Sequence, residues 1–360
     1  MSLSARSLAD GVPAVALPPL PSQPQGTAWP GAEWPTGSLS AATDAERLGA
    51  LLDDAFSDAG RARLSETHAF LVIEGGRLVL ERYAGGQWTA QSTYPSWSMA
   101  KSITQALAGF LWAEGRLDPN APINAPEWRN AGDRRSHLTF AQLLRMSSGL
   151  EFVEEYVQGN KSDVIEMLFG SGKDDVAHYA ASLPLIHKPN THFNYASGTT
   201  NILARAIGTI VGGGENGMRD FMQRRLFGPL GITSAVPKFD AAGTFIGSSY
   251  CFMTARDFAR FGLLYLRGGV WNGAELLPHA WIDDARTPTP WVPDTEPMGY
   301  GSHWWLGLGG PGSFSANGYG GQYIVCVPQH DLIVVRHGDS IGDFRDPVRD
   351  FMRATISCFG

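Results

Sequence analysis

Tyr94-Pro-Ser-Trp-Ser98-Met-Ala-Lys101-Ser-Ile-Thr104 opens a predicted helix on which the organisation of the whole chain depends. The proline in this stretch disfavours helix immediately upstream. From Ser98 to Glu114 the pattern is helical, and a glycine then ends it. Gly109 is its one weak position, and an isolated glycine is tolerated inside a helix. Apolar residues cover nearly every face of the segment, so we expect this helix to be buried in the core.

Lys101 is the unusual residue of that helix, because it lies in the first turn of an otherwise apolar segment. Ser98 precedes it by three residues, so the two side chains share one helix face. Burial without a carboxylate lowers the pKa of a lysine, and a neutral amine can take a proton from a neighbouring hydroxyl. The spacing therefore predicts a nucleophile and its base on one rigid turn. The structural alternative is that Ser98 caps the helix and Lys101 extends to solvent.

The composition is that of an acidic globular protein of 360 residues, with 43% hydrophobic residues, 18% charged residues and a net charge of −7. This charge argues against nucleic acid or an anionic membrane as a partner. No apolar stretch is long enough to span a bilayer. The three cysteines are far apart and the nine histidines are scattered, so we expect no metal site and no cofactor. Because no signal-peptide pattern is visible, we expect a cytoplasmic location.

Strand signals occur near both ends of the chain, and helix signals dominate the middle. Residues 68–83 and 322–336 are each typical of a two-stranded hairpin. Helical patterns occur at 44–56, 139–146, 163–169, 199–211, 218–227, 254–266 and 346–356. The predicted fold is therefore α+β: one antiparallel sheet covered by helices on both faces, with an inserted, mostly helical lobe. The predicted division is an extended leader (1–40), a sheet domain (41–116 and 236–360) and the helical lobe (117–235), with the cleft of the site between the last two.

Two further segments carry candidate site residues. Tyr195 lies on a predicted loop before a helix, where a lysine ammonium would stabilise its phenolate as a base. The alternative is a packed tyrosine whose hydroxyl binds backbone. The segment Ser315-Ala-Asn-Gly-Tyr-Gly-Gly-Gln322 leads into a strand, and its glycines let a substrate approach the backbone closely. The alternative there is an ordinary glycine-rich turn.

A competing motif is Gly338-Asp-Ser340-Ile-Gly342, which matches the turn that carries the nucleophile in α/β-hydrolases. Those enzymes need a histidine downstream of the serine. The last histidine of this chain is His337, before the motif. We therefore interpret the segment around Ser340 as a turn.

Six motifs follow one another between about Ala69 and Arg336: Ser98-Met-Ala-Lys101, Leu143-Leu-Arg-Met-Ser-Ser-Gly-Leu150, Lys188-Pro-Asn-Thr-His-Phe-Asn-Tyr195, Leu226-Phe-Gly-Pro-Leu-Gly-Ile232, Thr254-Ala-Arg-Asp-Phe-Ala-Arg-Phe-Gly262 and Gly318-Tyr-Gly-Gly-Gln322. In this order they resemble the serine β-lactamase and penicillin-binding-protein-like hydrolases, especially the class C branch. That branch includes esterases, D-amino-acid peptidases and 6-aminohexanoate-dimer hydrolases. The resemblance implies an acyl-enzyme on Ser98, with Lys101 as its proton partner and Tyr195 as general acid and base. It also implies an oxyanion hole formed by the backbone N–H groups of Ser98 and Tyr319.

Two departures from the family pattern bear on the substrate. The family's Tyr-x-Asn is here Tyr195-Ala-Ser197, and Ala316-Asn317-Gly318 replaces a Lys-Thr-Gly-like motif. The second change removes the lysine that would help to hold a β-lactam carboxylate, so we expect a small-molecule ester or linear amide as substrate, as in the 6-aminohexanoate-dimer hydrolases. The alternatives are a β-lactamase or D-amino-acid peptidase, and a non-catalytic binding module. The predicted substrate-binding residues are Trp97, Tyr156, Ser197, Asn317, Gly318 and Gly320.

Overall fold

The computed structural model describes residues 8–156, 159 and 161–360. The α-helices are α1 (Ala45–Ala55), α2 (Asp58–Leu64), α3 (Ala100–Ala113), α4 (Phe140–Leu144), α5 (Asp163–Phe169), α6 (Val176–Ser182), α7 (Ser197–Val211), α8 (Gly214–Met222), α9 (Gly228–Leu230), α10 (Ala255–Leu266), α11 (His279–Arg286) and α12 (Arg345–Ile356). The strands are β1 (Glu66–Glu74), β2 (Arg77–Tyr83), β3 (Thr93–Tyr94), β4 (Val236–Pro237), β5 (Cys251–Thr254), β6 (Val270–Trp271), β7 (Ala274–Glu275), β8 (Gly299–Tyr300), β9 (Trp305–Leu306), β10 (Phe314–Gly318), β11 (Gln322–Val327) and β12 (Leu332–Asp339). Within this part of the chain, no helix combines the length and the apolarity that a membrane span requires.

The main sheet has seven strands in the order β2-β1-β12-β11-β10-β9-β8, and each neighbouring pair is antiparallel. Its centre is the pairing of β1 with β12, in which Val72 lies opposite Val334. The turn between β1 and β2 uses Gly75 and Gly76 at φ 57° and 74°, left-handed values that glycine adopts without strain. The two hairpins predicted from the sequence therefore form four adjacent strands of one sheet, with β2 at its edge.

Helices cover both faces of this sheet. On one face α10 packs against β1 and β12, in a core that includes Leu71, Val335 and residues of α3. On the other face Phe70 and Val334 share a core with α1 and α12. Successive residues of a strand point to opposite faces, so apolar strands such as β1 and β12 supply both cores. The predicted α+β class, with an antiparallel sheet between two helical layers, is confirmed.

Helices α4–α9 occupy the chain between α3 and β4. α4 begins after Thr139 in a reciprocal cap, in which the Thr139 side chain accepts from the Gln142 N–H and the Gln142 side chain accepts from the Thr139 N–H. The predicted bounds of α4, α5 and α7 agree with the structure to within two residues. Strands β8 and β9 were not predicted, because two residues are too few to display a strand period. The division into domains stays a prediction.

Helix α3 is buried from Ala100 to Leu111. At Gly109 the neighbouring helix α11 comes so close that an added Cβ would lie 2.4 Å from the Trp281 indole nitrogen. That indole N–H donates to the carbonyl of Gln105 at 3.0 Å. Gly109, a weak position in the sequence, is thus the place where the Trp281 side chain of α11 contacts the backbone of α3.

The described part of the leader wraps on the sheet domain in an extended form. Its Trp34 is buried, and its indole N–H donates to the carbonyl of Arg256 at 3.2 Å. Three buried arginines donate to leader carbonyls: Arg260 to Pro30 and Gly31, Arg267 to Pro21, and Arg286 to Pro18. The leader is therefore hydrogen-bonded to α10 and α11 as part of the folded structure.

Candidate active site

Ser98 lies at the centre of a single 3₁₀ turn, Trp97–Met99, that continues directly into α3. The α-helix begins two residues later than the sequence predicts, so the alternative in which Ser98 caps it is wrong. Trp97 has φ 42°, a left-handed value that costs a non-glycine residue about 1–2 kcal/mol. This tight turn presents the serine hydroxyl at the end of a rigid, buried helix.

Lys101 is 1% exposed, so the prediction of a buried lysine is confirmed and the solvent-directed alternative is wrong. Its Nζ donates to Ser98 Oγ at 3.0 Å, to Ser197 Oγ at 2.9 Å and to the Ser248 carbonyl at 3.1 Å. Three acceptors match the three hydrogens of an ammonium group. Burial lowers the pKa of Lys101 to about 8, against the opposing effect of the Glu154 charge. The amine is therefore able to exchange a proton near neutral pH.

Tyr195 lies just before α7, and its ring centre is 4.9 Å from Lys101 Nζ. Its ring also stacks on Trp305, with centroids 5.1 Å apart. Burial and the Glu154 charge raise the pKa of Tyr195 well above its ordinary range, while hydrogen bonding to Ser98 and Trp305 acts in the opposite direction. Burial thus favours the neutral phenol over the phenolate, and the role of Tyr195 as general acid and base stays a prediction.

Gly318 ends β10 against the turn that carries Ser98. A Cβ at this position would lie 2.4 Å from the Ser96 carbonyl oxygen, so the close approach requires glycine. In the following turn, the Gln322 side-chain N–H group donates to the carbonyls of Tyr319 and Gly320, both at 3.2 Å. Among the described residues, the backbone N–H groups of Ser98 and Tyr319 have no acceptor. The oxyanion hole at these two N–H groups stays a prediction.

Sequence reasoning missed Glu154, which lies on the loop before α5. Its carboxylate accepts from Ser197 Oγ at 2.6 Å and from Ser197 N–H at 2.8 Å. The Tyr156 hydroxyl donates to the same carboxylate at 2.8 Å. Only the tertiary fold brings this loop to Ser197, and the local sequence carries no sign of it. The one available signal was the serine at the third position of Tyr195-Ala-Ser197. A hydroxyl at this position binds different partners from the asparagine side chain of the family pattern.

Two of the predicted substrate-binding residues, Trp97 and Tyr156, belong to a cluster of aromatic rings that begins next to Ser98. Trp97 lies edge-on to Tyr319 with centroids 5.8 Å apart, and Tyr156 lies 4.7 Å from the same ring. Trp97 also contacts Tyr250 at 5.5 Å. This cluster and the Tyr195–Trp305 stack give the surroundings of Ser98 an aromatic character.

The remaining predicted positions are less directly connected to Ser98. Asn317 Nδ2 lies 3.8 Å from Met298 Sδ. Gly320 has φ 72°, and its carbonyl accepts from the Ser340 N–H at 2.9 Å. The Ser340 hydroxyl is buried and donates to the Leu64 carbonyl, as expected for a residue of a structural turn.

The chain is similar to known proteins in sequence and in fold. The beta-lactamase family model matches residues 52–340. A 6-aminohexanoate-dimer hydrolase from Paenarthrobacter ureafaciens is 26% identical over 292 residues, which cover 76% of this chain and 73% of that protein. A Bacillus anthracis structure provisionally assigned as a 6-aminohexanoate-dimer hydrolase superposes with a TM-score of 0.72 at 22% identity, covering 94% of this chain and 89% of the other. A family VIII carboxylesterase superposes with a TM-score of 0.63 at 16% identity, covering 90% and 99%. These structural likenesses establish a shared fold.

Proposed function

This chain belongs to the beta-lactamase family, and from that premise we propose that it is a serine hydrolase that forms an acyl-enzyme on Ser98. Its substrate is a carboxylic ester or a linear amide. The observation that carries the proposal is the 3.0 Å contact between Lys101 Nζ and Ser98 Oγ inside a buried site. An amine with a pKa of about 8 is close enough to physiological pH to act as a general base.

The contacts of Lys101 define the first step. When the amine is neutral, two N–H groups remain on Ser197 Oγ and the Ser248 carbonyl, and the lone pair faces Ser98 Oγ. Ser98 attacks the substrate carbonyl carbon while its proton passes to Lys101. The developing oxyanion accepts hydrogen bonds from the backbone N–H groups of Ser98 and Tyr319, which have no other acceptor among the described residues.

Tyr195 supplies the proton of the leaving group. Its neutral phenol protonates the departing alkoxide or amine, and the Lys101 ammonium restores the phenol, so both side chains return to their initial state. Water then attacks the acyl-enzyme as its proton passes to Lys101. Collapse of this second intermediate returns a proton to Ser98 Oγ through Tyr195 and releases the carboxylic acid.

The aromatic surroundings of Ser98 favour an apolar acyl or leaving group. The curated relative is a 6-aminohexanoate-dimer hydrolase and one structural neighbour is a carboxylesterase, so linear amides and short-chain esters are the substrates to try. Ala316, which stands where the resemblance expects a lysine, is buried and apolar. This position offers nothing to bind a substrate carboxylate.

Hydrolysis of p-nitrophenyl butyrate by the wild type and by Ser98→Ala tests the assignment. We expect turnover to vanish in the variant, and a fluorophosphonate to add one mole of label to Ser98 of the wild type. Ser340→Ala is the matched comparison, since Ser340 is the competing serine, and it should retain turnover if it remains folded. Undiminished hydrolysis by Ser98→Ala would refute the proposal.

A second candidate is β-lactam hydrolysis, because the matching family model is that of the beta-lactamases. Nitrocefin distinguishes the two, and we expect ester turnover without nitrocefin turnover. Rapid nitrocefin hydrolysis that is lost in Ser98→Ala would make the β-lactam activity the primary one.

A further inference from the structure

We infer that Glu154 is a positioning residue for Lys101 and acts on it through the hydroxyl of Ser197. The three groups form a continuous chain: Lys101 Nζ lies 2.9 Å from Ser197 Oγ, which lies 2.6 Å from Glu154 Oε1. A second bond, from the Ser197 N–H to Glu154 Oε2 at 2.8 Å, fixes the carboxylate at the start of α7. The inference rests on the proposed function, since it concerns the base of the same reaction.

The direction of the hydrogen bonds in this chain is determined by the carboxylate. An ionised carboxylate only accepts, so the hydrogen of Ser197 Oγ points towards Glu154. The lone pairs of Ser197 Oγ are then left for Lys101, and Ser197 can only accept from the amine. Lys101 must therefore keep one N–H on Ser197 and another on the Ser248 carbonyl, which leaves its lone pair for Ser98. A side-chain amide in place of Ser197 could offer Lys101 either a donor or an acceptor, whereas this pair of residues allows one arrangement.

The charge of Glu154 also acts on Lys101. Among the described residues, Tyr195 and His303 also interact with the amine: the ring of the neutral Tyr195 phenol faces it, and His303 is close enough to feel its charge. Burial and the Lys101 charge lower the pKa of His303 to about 3, against the opposing effect of the Leu144 carbonyl, so its ring is neutral. Its Nδ1 lies 2.7 Å from that carbonyl and its Nε2 lies 3.0 Å from the Thr200 hydroxyl. Glu154 is thus the anion that stabilises the Lys101 ammonium formed when Ser98 loses its proton. Without Glu154, burial would lower the pKa of Lys101 with no opposing charge.

The test compares Glu154→Gln with Glu155→Gln, which makes the same charge change at the adjacent, exposed position. For each variant, kcat and KM for a p-nitrophenyl ester are measured at pH values on both sides of 8. A glutamine can still accept from Ser197 but carries no charge, so we expect the acidic limb of kcat/KM to move to lower pH by about one unit. Glu155→Gln should leave the limb where it is in the wild type.

Glu154→Ala and Ser197→Ala remove the acceptor chain itself. Both should lower kcat about tenfold or more while changing KM little, because the amine loses its fixed orientation. The pH dependence of fluorophosphonate addition to Ser98 gives the same information without turnover, and thermal melting shows whether each variant is folded.

The outcomes separate this inference from the proposed function. If Ser98→Ala remains active, the proposed function fails. If turnover depends on Ser98 but the limb of Glu154→Gln coincides with those of the wild type and Glu155→Gln, the role of Glu154 is refuted while the proposed function stands.

Discussion

The Nζ atom of Lys101 donates to the Oγ atom of Ser98 across 3.0 Å, one turn along the same chain segment. Because α3 is buried from Ala100 to Leu111, this distance is maintained by core packing and does not depend on a loop. The chemistry proposed for the pair can therefore be tested by changes in pH and by single substitutions that leave the core intact.

The pH dependence of kcat/KM should report Lys101. Its pKa is lowered from 10.5 to about 8, and only the neutral amine accepts the Ser98 proton, so activity on a neutral ester should rise as the pH increases through about 8. A stopped-flow or plate assay across this range checks the prediction. An acidic limb of kcat/KM near pH 10.5, or a kcat/KM that does not change with pH above neutrality, would contradict the prediction.

Tyr195→Phe should lower kcat by about 10²–10⁴-fold, because it removes the proton donor to the leaving group. The ring contact with Trp305 is retained, so the melting temperature should change little. Tyr300→Phe is the matched control, since Tyr300 is a buried tyrosine whose ring lies 5.9 Å from that of Tyr195. Equal activity losses in the two variants would argue for a packing effect.

Gly318→Ala should lower kcat/KM by about 10²-fold or more. The added Cβ would lie 2.4 Å from the Ser96 carbonyl, so β10 must move away from the Ser98 turn and carry the Tyr319 N–H out of place. Gly49→Ala, in α1, adds the same group where no atom lies within 4 Å. Steady-state kinetics of the two purified variants tests this prediction. Full activity of Gly318→Ala would exclude the proposed oxyanion hole.

Two helical glycines should respond in opposite directions to the same substitution. Gly109→Ala places a Cβ 2.4 Å from the Trp281 indole and should reduce the free energy of unfolding by about 1–3 kcal/mol. Gly208→Ala, in α7, meets nothing within 4 Å and should increase it by about 0.5–1 kcal/mol. Urea unfolding of both variants measures the difference, and a stabilised Gly109→Ala would be inconsistent with the close contact of α3 and α11.

Much of the fold follows from local patterns in the sequence. The hairpins, α5, α10 and α12 carry clear periodicity and end signals, and the pairing of both chain ends in one sheet followed from them. The 3₁₀ turn before α3 could not be predicted, because left-handed backbone at Trp97 is disfavoured locally and is held by tertiary contacts. The helix contact at Gly109 could not be predicted either, since it depends on which helix packs against α3 at that position.

The candidate site likewise contains residues whose contacts the local sequence predicts and residues whose contacts depend on the fold. Ser98 and Lys101 are close in sequence, so one helical turn was enough to predict their contact. Glu154 lies 43 residues from Ser197 and reaches it only through the fold. The raised pKa of Tyr195 could not be predicted, because the sequence indicates which groups are neighbours but not how completely water is excluded from them.

The pairing of β1 with β12 has a consequence for biosynthesis. During translation β1 leaves the ribosome long before β12, because β1 ends at Glu74 and β12 begins at Leu332. β2 can pair with one edge of β1 at once, but the other edge of this apolar strand stays unpaired until β12 has been synthesised. Yield in the cell should accordingly depend on chaperones that shield β1 during that interval.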